Sequence, residues 1–86
     1  MDTTQALELC SLAEAADRGL IGLDAAEWRR RLGTSVPDVR SALEWLLERD
    51  RAAALRMATA LAAFWRISGQ MPEGRFWLDR TLAVAD

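Results

Sequence analysis

Histidine, lysine and tyrosine are absent from this chain, cysteine occurs once, and proline and glycine are scarce at two and five. Each shortage removes something. Without histidine the commonest general base and metal ligand is missing. One cysteine, Cys10, cannot form a Cys–His pair, a metal-spaced cluster or an internal disulfide, and it suits a reducing, cytoplasmic setting. No basic segment followed by an apolar run opens the chain, so no signal peptide is expected. No apolar stretch reaches the roughly 18 residues that span a bilayer. The longest, 52–67, is broken by Arg56 and Arg66. The net charge of −2 and the pI of about 5.1 are the opposite of the basic surface a nucleic-acid-binding domain needs. The phosphate-binding pattern G-x-x-x-x-G-K-[ST] is also missing, and no cofactor or metal is expected.

What remains is a helical composition. Hydrophobic residues make up 51% of the 86 positions and charged residues 28%. Alanine is abundant and β-branched residues are thinly spread, which favours helix throughout. Every basic residue is arginine, which fits a GC-rich genome. Asp2 with Gln5 and Asp24 with Glu27 have the spacing of capping boxes, and Gly19 and Gly33 stand where helices would end. Arg29, Arg30 and Arg31 suit the C-terminal end of a helix dipole. Ser35 and Pro37 open a third helix. Its stripe of Val39, Ala42, Leu43, Leu46 and Leu47 is apolar, and Arg40, Glu44, Glu48 and Arg51 face the other way at i,i+4 spacing. A fourth helix from about Asp50 to Ser68 is apolar on nearly all sides, as expected of one packed between neighbours. Gly69 ends it, and a fifth carries Trp77, Leu78, Thr81 and Leu82 on one face. The expected fold is therefore all-α, about five antiparallel helices in one domain over 1–86. N-terminal helices occupy 1–34 and tetratricopeptide-like hairpins 35–86.

Against a 34-residue helix–turn–helix repeat, Ala58, Leu61, Ala62 and Trp65 fall at positions 4, 7, 8 and 11, and Gly74, Leu78 and Thr81 at 20, 24 and 27. Thr81 departs from the usual Ala. "DVRSALEW" at 38–45, "ALRMATALAAFWRISG" at 54–69 and "EGRFWLDRTLA" at 73–83 resemble the helical segment of LuxR-type and AfsR-type signal-transduction ATPases, large and mostly actinobacterial transcriptional regulators. "AAEW" at 25–28 resembles the helices before it. In that family the linker tends to read Asn-Leu-Arg-Ala-Ala-Leu-Glu-Trp. Here Asp38 replaces the Asn and Val39 the Leu, while Arg40, Ala42, Leu43, Glu44 and Trp45 match. The resemblance implies a solenoid-type interaction module without the ATPase or DNA-reading parts. Met1 reads as a true start and the end at Asp86 as a truncation.

The densest stretch, "LAAFWRISGQMPEGRFWLDRTL" at 61–82, places Trp65 and Trp77 either side of the Gly69 turn. It reads as the seam of two helices, with a partly exposed platform as the other reading. Trp28 and Phe76 are the aromatics expected at the surface, and Cys10 is expected to face the core. Glu14 and Asp17 read as part of a solvated polar face, not as a carboxylate pair for acid–base work, and Arg75 with Asp79 as a surface ion pair. The functional expectation is a non-enzymatic protein–protein interaction module that self-associates, as a homodimer, or docks on a larger regulatory partner. Its contact candidates are Phe76, Trp77, Arg80 and Val84 with Leu61 and Phe64. The alternative is a helical protein that senses or sequesters a hydrophobic or aromatic small molecule in a pocket lined by Trp65, Trp77, Phe64 and Met57.

Overall fold

A computed structural model of the chain describes residues 1–84, with the Val84 side chain outside that description. The described residues form five helices joined by short connections and contain no strand. They are α1 Thr3–Gly19, α2 Ala25–Thr34, α3 Val36–Arg49, α4 Arg51–Ile67 and α5 Met71–Val84.

The chain's punctuation explains most boundaries. Asp2 Oδ1 accepts the Gln5 amide at 2.8 Å and Asp50 Oδ1 the Ala53 amide at 3.1 Å. Helices α1 and α4 thus start on side-chain caps. Helix α4 stops on a Schellman closure. The Gln70 amide donates to the Trp65 carbonyl at 2.7 Å and the Gly69 amide to the Arg66 carbonyl at 3.3 Å. Gly69 makes this possible with φ of 75°. That left-handed conformation is costly for other residues. Asp24 and Ser35 stand at the N-caps of α2 and α3, yet neither side chain bonds the helix it precedes.

Two glycines behave differently from the sequence expectation. Gly33 does not end α2, which continues through Thr34. Gly19 is the last residue of α1 but is not left-handed. It is there for room: a Cβ on it would stand 2.1 Å from Cδ1 and Nε1 of Trp28. Trp28 is therefore half-buried against the end of α1, not exposed as its charged neighbours suggested, because the missing Cβ opens a slot for the indole.

Helix α4 is the centre of the molecule and packs against α1, α3 and α5. Its buried residues include Ala53, Met57, Ala60, Leu61, Phe64 and Trp65, spread around most of the circumference as the sequence implied. The last three helices reverse direction in turn. Val36 at the start of α3 lines the same cleft as Phe64 near the end of α4, and Gly74 near the start of α5 lies against Trp65. Two pairs that are not neighbours in sequence run the same way. Cys10 lies by Ala53 and Glu14 by Arg56, so α1 is parallel to α4. Arg40 pairs with Glu73 and Glu44 with Arg80, so α3 is parallel to α5. The stripe of Val39, Ala42, Leu43, Leu46 and Leu47 is wholly buried.

Candidate functional site

The residues singled out in the sequence divide into core and surface. Met57, Leu61, Phe64, Trp65 and Trp77 are buried in the main core cluster. Phe76 is 52% exposed, and Arg80 lies beside it. Val84 is named among the candidates, but its side chain is outside the described residues. Trp65 packs against Gly74 in the α4–α5 seam, and Trp77 is buried in the same core cluster beside Glu73 and Arg80, the two α5 residues that pair with α3. Gly74 lets that seam close, because a Cβ there would stand 3.0 Å from Trp65 Cε3 and 3.1 Å from its Cβ. Thr81, expected to depart from the usual Ala of a helix–turn–helix repeat, is fully buried and its hydroxyl donates to the Leu78 carbonyl at 3.0 Å. A small side chain that satisfies its own polar atom can stand in for Ala.

Outside the seam, α4 and α5 leave a groove of about 370 Å³. Ala62, Trp65, Gly74 and Leu78 line its floor, and Met71 and Leu82, 57% and 56% exposed, stand along it. Arg66 lies near the α4–α5 turn, and along α5 Arg75 and then Asp79 follow Met71 at one-turn steps. Among the described residues no carboxylate pairs with Arg66 or Arg75, and the expected Arg75–Asp79 pair is not formed. Sequence reasoning did not find this groove. Its signal was the spacing of Met71, Arg75, Leu78 and Leu82 along α5, one turn apart each time.

The back of α5 is clamped by charge. Arg40 donates through Nε and Nη2 to both oxygens of Glu73 at 2.6 and 2.7 Å, and Trp77 Nε1 donates to the same carboxylate at 3.4 Å. Arg80 reaches Glu44 at 2.7 Å and lies over the Phe76 and Trp77 rings at 5.2 and 5.1 Å. A guanidinium so placed is attracted by the ring faces. Hydrogen bonds from Arg40, then from Trp77, hold the Glu73 carboxyl below the usual carboxylate range against the opposing effect of burial. Arg80 does the same for Glu44. Arg40 and Glu44 therefore pair across to α5 rather than along their own helix.

Other charges are spoken for locally. Glu27 takes Arg30 at 2.6 Å and Arg31 at 3.2 Å, and Arg31 stacks over Trp28 at 5.1 Å. Two of the three consecutive arginines near the end of α2 are therefore occupied. Glu14 pairs with Arg56 of α4 at 2.9 Å rather than acting with Asp17. Cys10 is buried and its thiol donates weakly to the Ala53 carbonyl at 3.9 Å. Burial pushes that thiol's pKa up, away from the reactive thiolate. Among the described residues no group of three His, Cys, Asp or Glu side chains could hold a metal ion, and no helix is long and apolar enough to cross a membrane. A wider cleft of about 550 Å³ lies between α2 and the α4–α5 turn, lined by Arg29, Gly33, Phe64, Ser68 and Gln70 among others.

No family model matches the chain, and comparison with curated proteins and with solved structures found no match.

Proposed function

We propose that the chain is a non-enzymatic protein–protein interaction module that docks through the α4–α5 groove. The observation that carries this reading is the contrast within α5. Trp77 and Thr81 are buried and Glu73 is clamped, while Met71 and Leu82 are left more than half exposed along an apolar floor. Large apolar side chains gathered along one groove mark a contact surface more often than scattered ones do. Helices α3, α4 and α5 alternate in direction, and Gly74 lets α5 approach Trp65 of α4 closely. Both features support a tetratricopeptide-like arrangement, in which each hairpin buries an apolar face against a neighbour. The stretches at 38–45, 54–69 and 73–83 support a place beside LuxR-type or AfsR-type regulators, in the cytoplasm. A small apolar ligand in the same groove is the second reading, favoured by a volume of about 370 Å³ and by the Trp65 edge in its floor.

The test pairs solution mass by light scattering, over a hundredfold concentration range, with binding of an apolar dye to the dilute chain. The expected result is association, dye binding or both, abolished in Met71→Asp/Leu82→Asp while helical circular dichroism is unchanged. A wild-type chain that stays monomeric and binds no dye overturns the reading. Trp emission that responds to a panel of lipophilic compounds, and ignores them in the same variant, would select the small-ligand reading.

A further inference from the structure

The groove has a direction. Arg66 and Met71 lie nearest the α4–α5 turn, and along α5 Arg75 comes one turn after Met71, Asp79 one turn after Arg75, and Leu82 last. The α5 stripe of Met71, Arg75, Leu78 and Leu82 is spaced four, three and four, so it reads the same from either end. A helix lying antiparallel on such a stripe meets the same spacing. Nothing among the described residues neutralises Arg75, and its neighbour one turn on, Asp79, does not close on it.

We propose that the occupant of this groove is a second copy of the chain, docked about a twofold axis with the two α5 helices antiparallel and Arg75 of each copy paired with the partner's Asp79. This rests on the docking reading above. In that arrangement Met71 comes opposite the partner's Leu82, and Arg75 comes beside the partner's Leu78 and Asp79. A twofold contact uses one patch twice, so a single Arg75–Asp79 match becomes two. The charge order decides between the antiparallel arrangement and a parallel one. Parallel helices would set Arg75 against Arg75 and Asp79 against Asp79, and like charges face to face cost affinity. A foreign helix would have to bring its own acid to Arg75 and its own base to Asp79, whereas a second copy already carries both.

The size of the face sets the strength. Helix α5 has 14 residues. At about 1.5 Å per residue it is about 21 Å long, and two helices side by side span about 20 Å. That footprint is small beside the roughly 800 Å² per partner of a standard interface. The dimer is therefore weak and appears with concentration.

The experiment measures dimerisation by sedimentation or light scattering for the wild type, Arg75→Asp, Asp79→Arg and the double variant. Arg75 and Asp79 are exposed, so helical circular dichroism should be the same in all four. Each single variant should weaken dimerisation at least about tenfold, because each sets like charges together twice, and the double variant should recover most of the loss. Single variants that dimerise like the wild type, or a double variant no better than the worse single, overturn the antiparallel pairing. A wild type that is monomeric at every concentration overturns the second-copy proposal. Dye binding that is nonetheless lost in Met71→Asp/Leu82→Asp would then leave the docking reading standing for another partner, whereas no dye binding would end both.

Discussion

Helix α4 is held on two sides by different means. Toward α1 the side chains are small: Ala6, Cys10, Ala13 and Ala16 form the buried stripe of α1, and Ala53 and Ala60 lie on the facing side of α4. Toward α5 they are large, with Trp65 against Gly74 and Trp77 behind it, and two ion pairs tie α5 to α3. Small residues on both partners let backbones approach and leave little to rearrange. A seam built from rings holds by volume, so a single truncation empties it. The two sides also differ in what lies at their surface. The alanine seam is edged by a cleft of about 410 Å³ whose rim is charged, with Glu14, Asp17, Arg18 and Arg56, whereas the groove beside the ring seam is floored by apolar side chains.

The largest expected effect comes from the ring seam. Trp65→Ala removes the side chain against which Gly74 closes, and a buried Trp→Ala change costs about 3–5 kcal/mol. For a domain of this size that is a large part of the total stability. The expected outcome in chemical denaturation is loss of the cooperative transition or a midpoint far below the wild type. A loss under about 1 kcal/mol would mean α5 is held chiefly by its ion pairs and not by ring packing.

Ala13→Leu tests the other side. Ala13 is completely buried. Extra methylenes in a close-packed contact cost about 1–3 kcal/mol. The loss should be smaller than for Trp65→Ala and should appear in the denaturation midpoint. Unchanged stability would show slack between α1 and its neighbours and would remove the difference between the two seams.

These two seams were unequally legible. The five helices, the buried stripe of α3 and the Gly69 turn follow from local chemistry: i,i+3/i+4 apolar spacing, and a glycine free to take positive φ. The all-round burial of α4 was legible for the same reason. Gly19 was not, because its role is to make room for Trp28, a residue of the next helix, and no local pattern encodes that. The cross-helix pairs Arg40–Glu73 and Glu44–Arg80 were hidden too. Their i,i+4 spacing within α3 looked like ordinary helix-surface pairing, and only the parallel placement of α3 and α5 gives them other partners. The aromatic density at 61–82 marked the α4–α5 hairpin, which also carries the groove. It drew attention to Trp65, Trp77 and Phe64, which fill the core, and away from Met71 and Leu82, which border the groove.

The clamp behind α5 gives a pH dependence of definite sign. Glu73 is held below its ordinary value of 4.5 by Arg40 first and Trp77 second. A carboxylate depressed in the folded state stabilises fully above its unfolded pKa. That contribution is lost as pH falls below about 4.5 and through the lower folded value. Glu44, depressed by Arg80, acts in the same direction. The thermal midpoint should therefore drop on acidification across this window, and Glu73→Gln should lower the neutral-pH midpoint while flattening part of the drop. Removing one charge-assisted pair with a half-buried partner costs about 1 kcal/mol, less than either seam variant. A pH slope identical in Glu73→Gln and wild type would show that the clamp is not formed in solution.

Phe76→Ala should do least, and it separates the two flanks of α5. Phe76 is half exposed, meets Trp77 edge-on at 5.0 Å, and lies beneath Arg80 on the side that faces Glu44 of α3. It does not line the groove, which begins at Met71 and ends at Leu82. Truncating it removes an exposed ring contact of a few tenths of a kcal/mol to about 1 kcal/mol and leaves the Arg80–Glu44 pair in place. Stability should fall slightly and association hardly at all, whereas Met71→Asp/Leu82→Asp should abolish association at nearly unchanged stability. Measuring both variants side by side decides which flank of α5 is used. If Phe76→Ala weakens association as strongly as the groove variant, the contact wraps over the α3-facing flank as well. A contact of that extent would not fit an antiparallel pairing centred on Arg75 and Asp79.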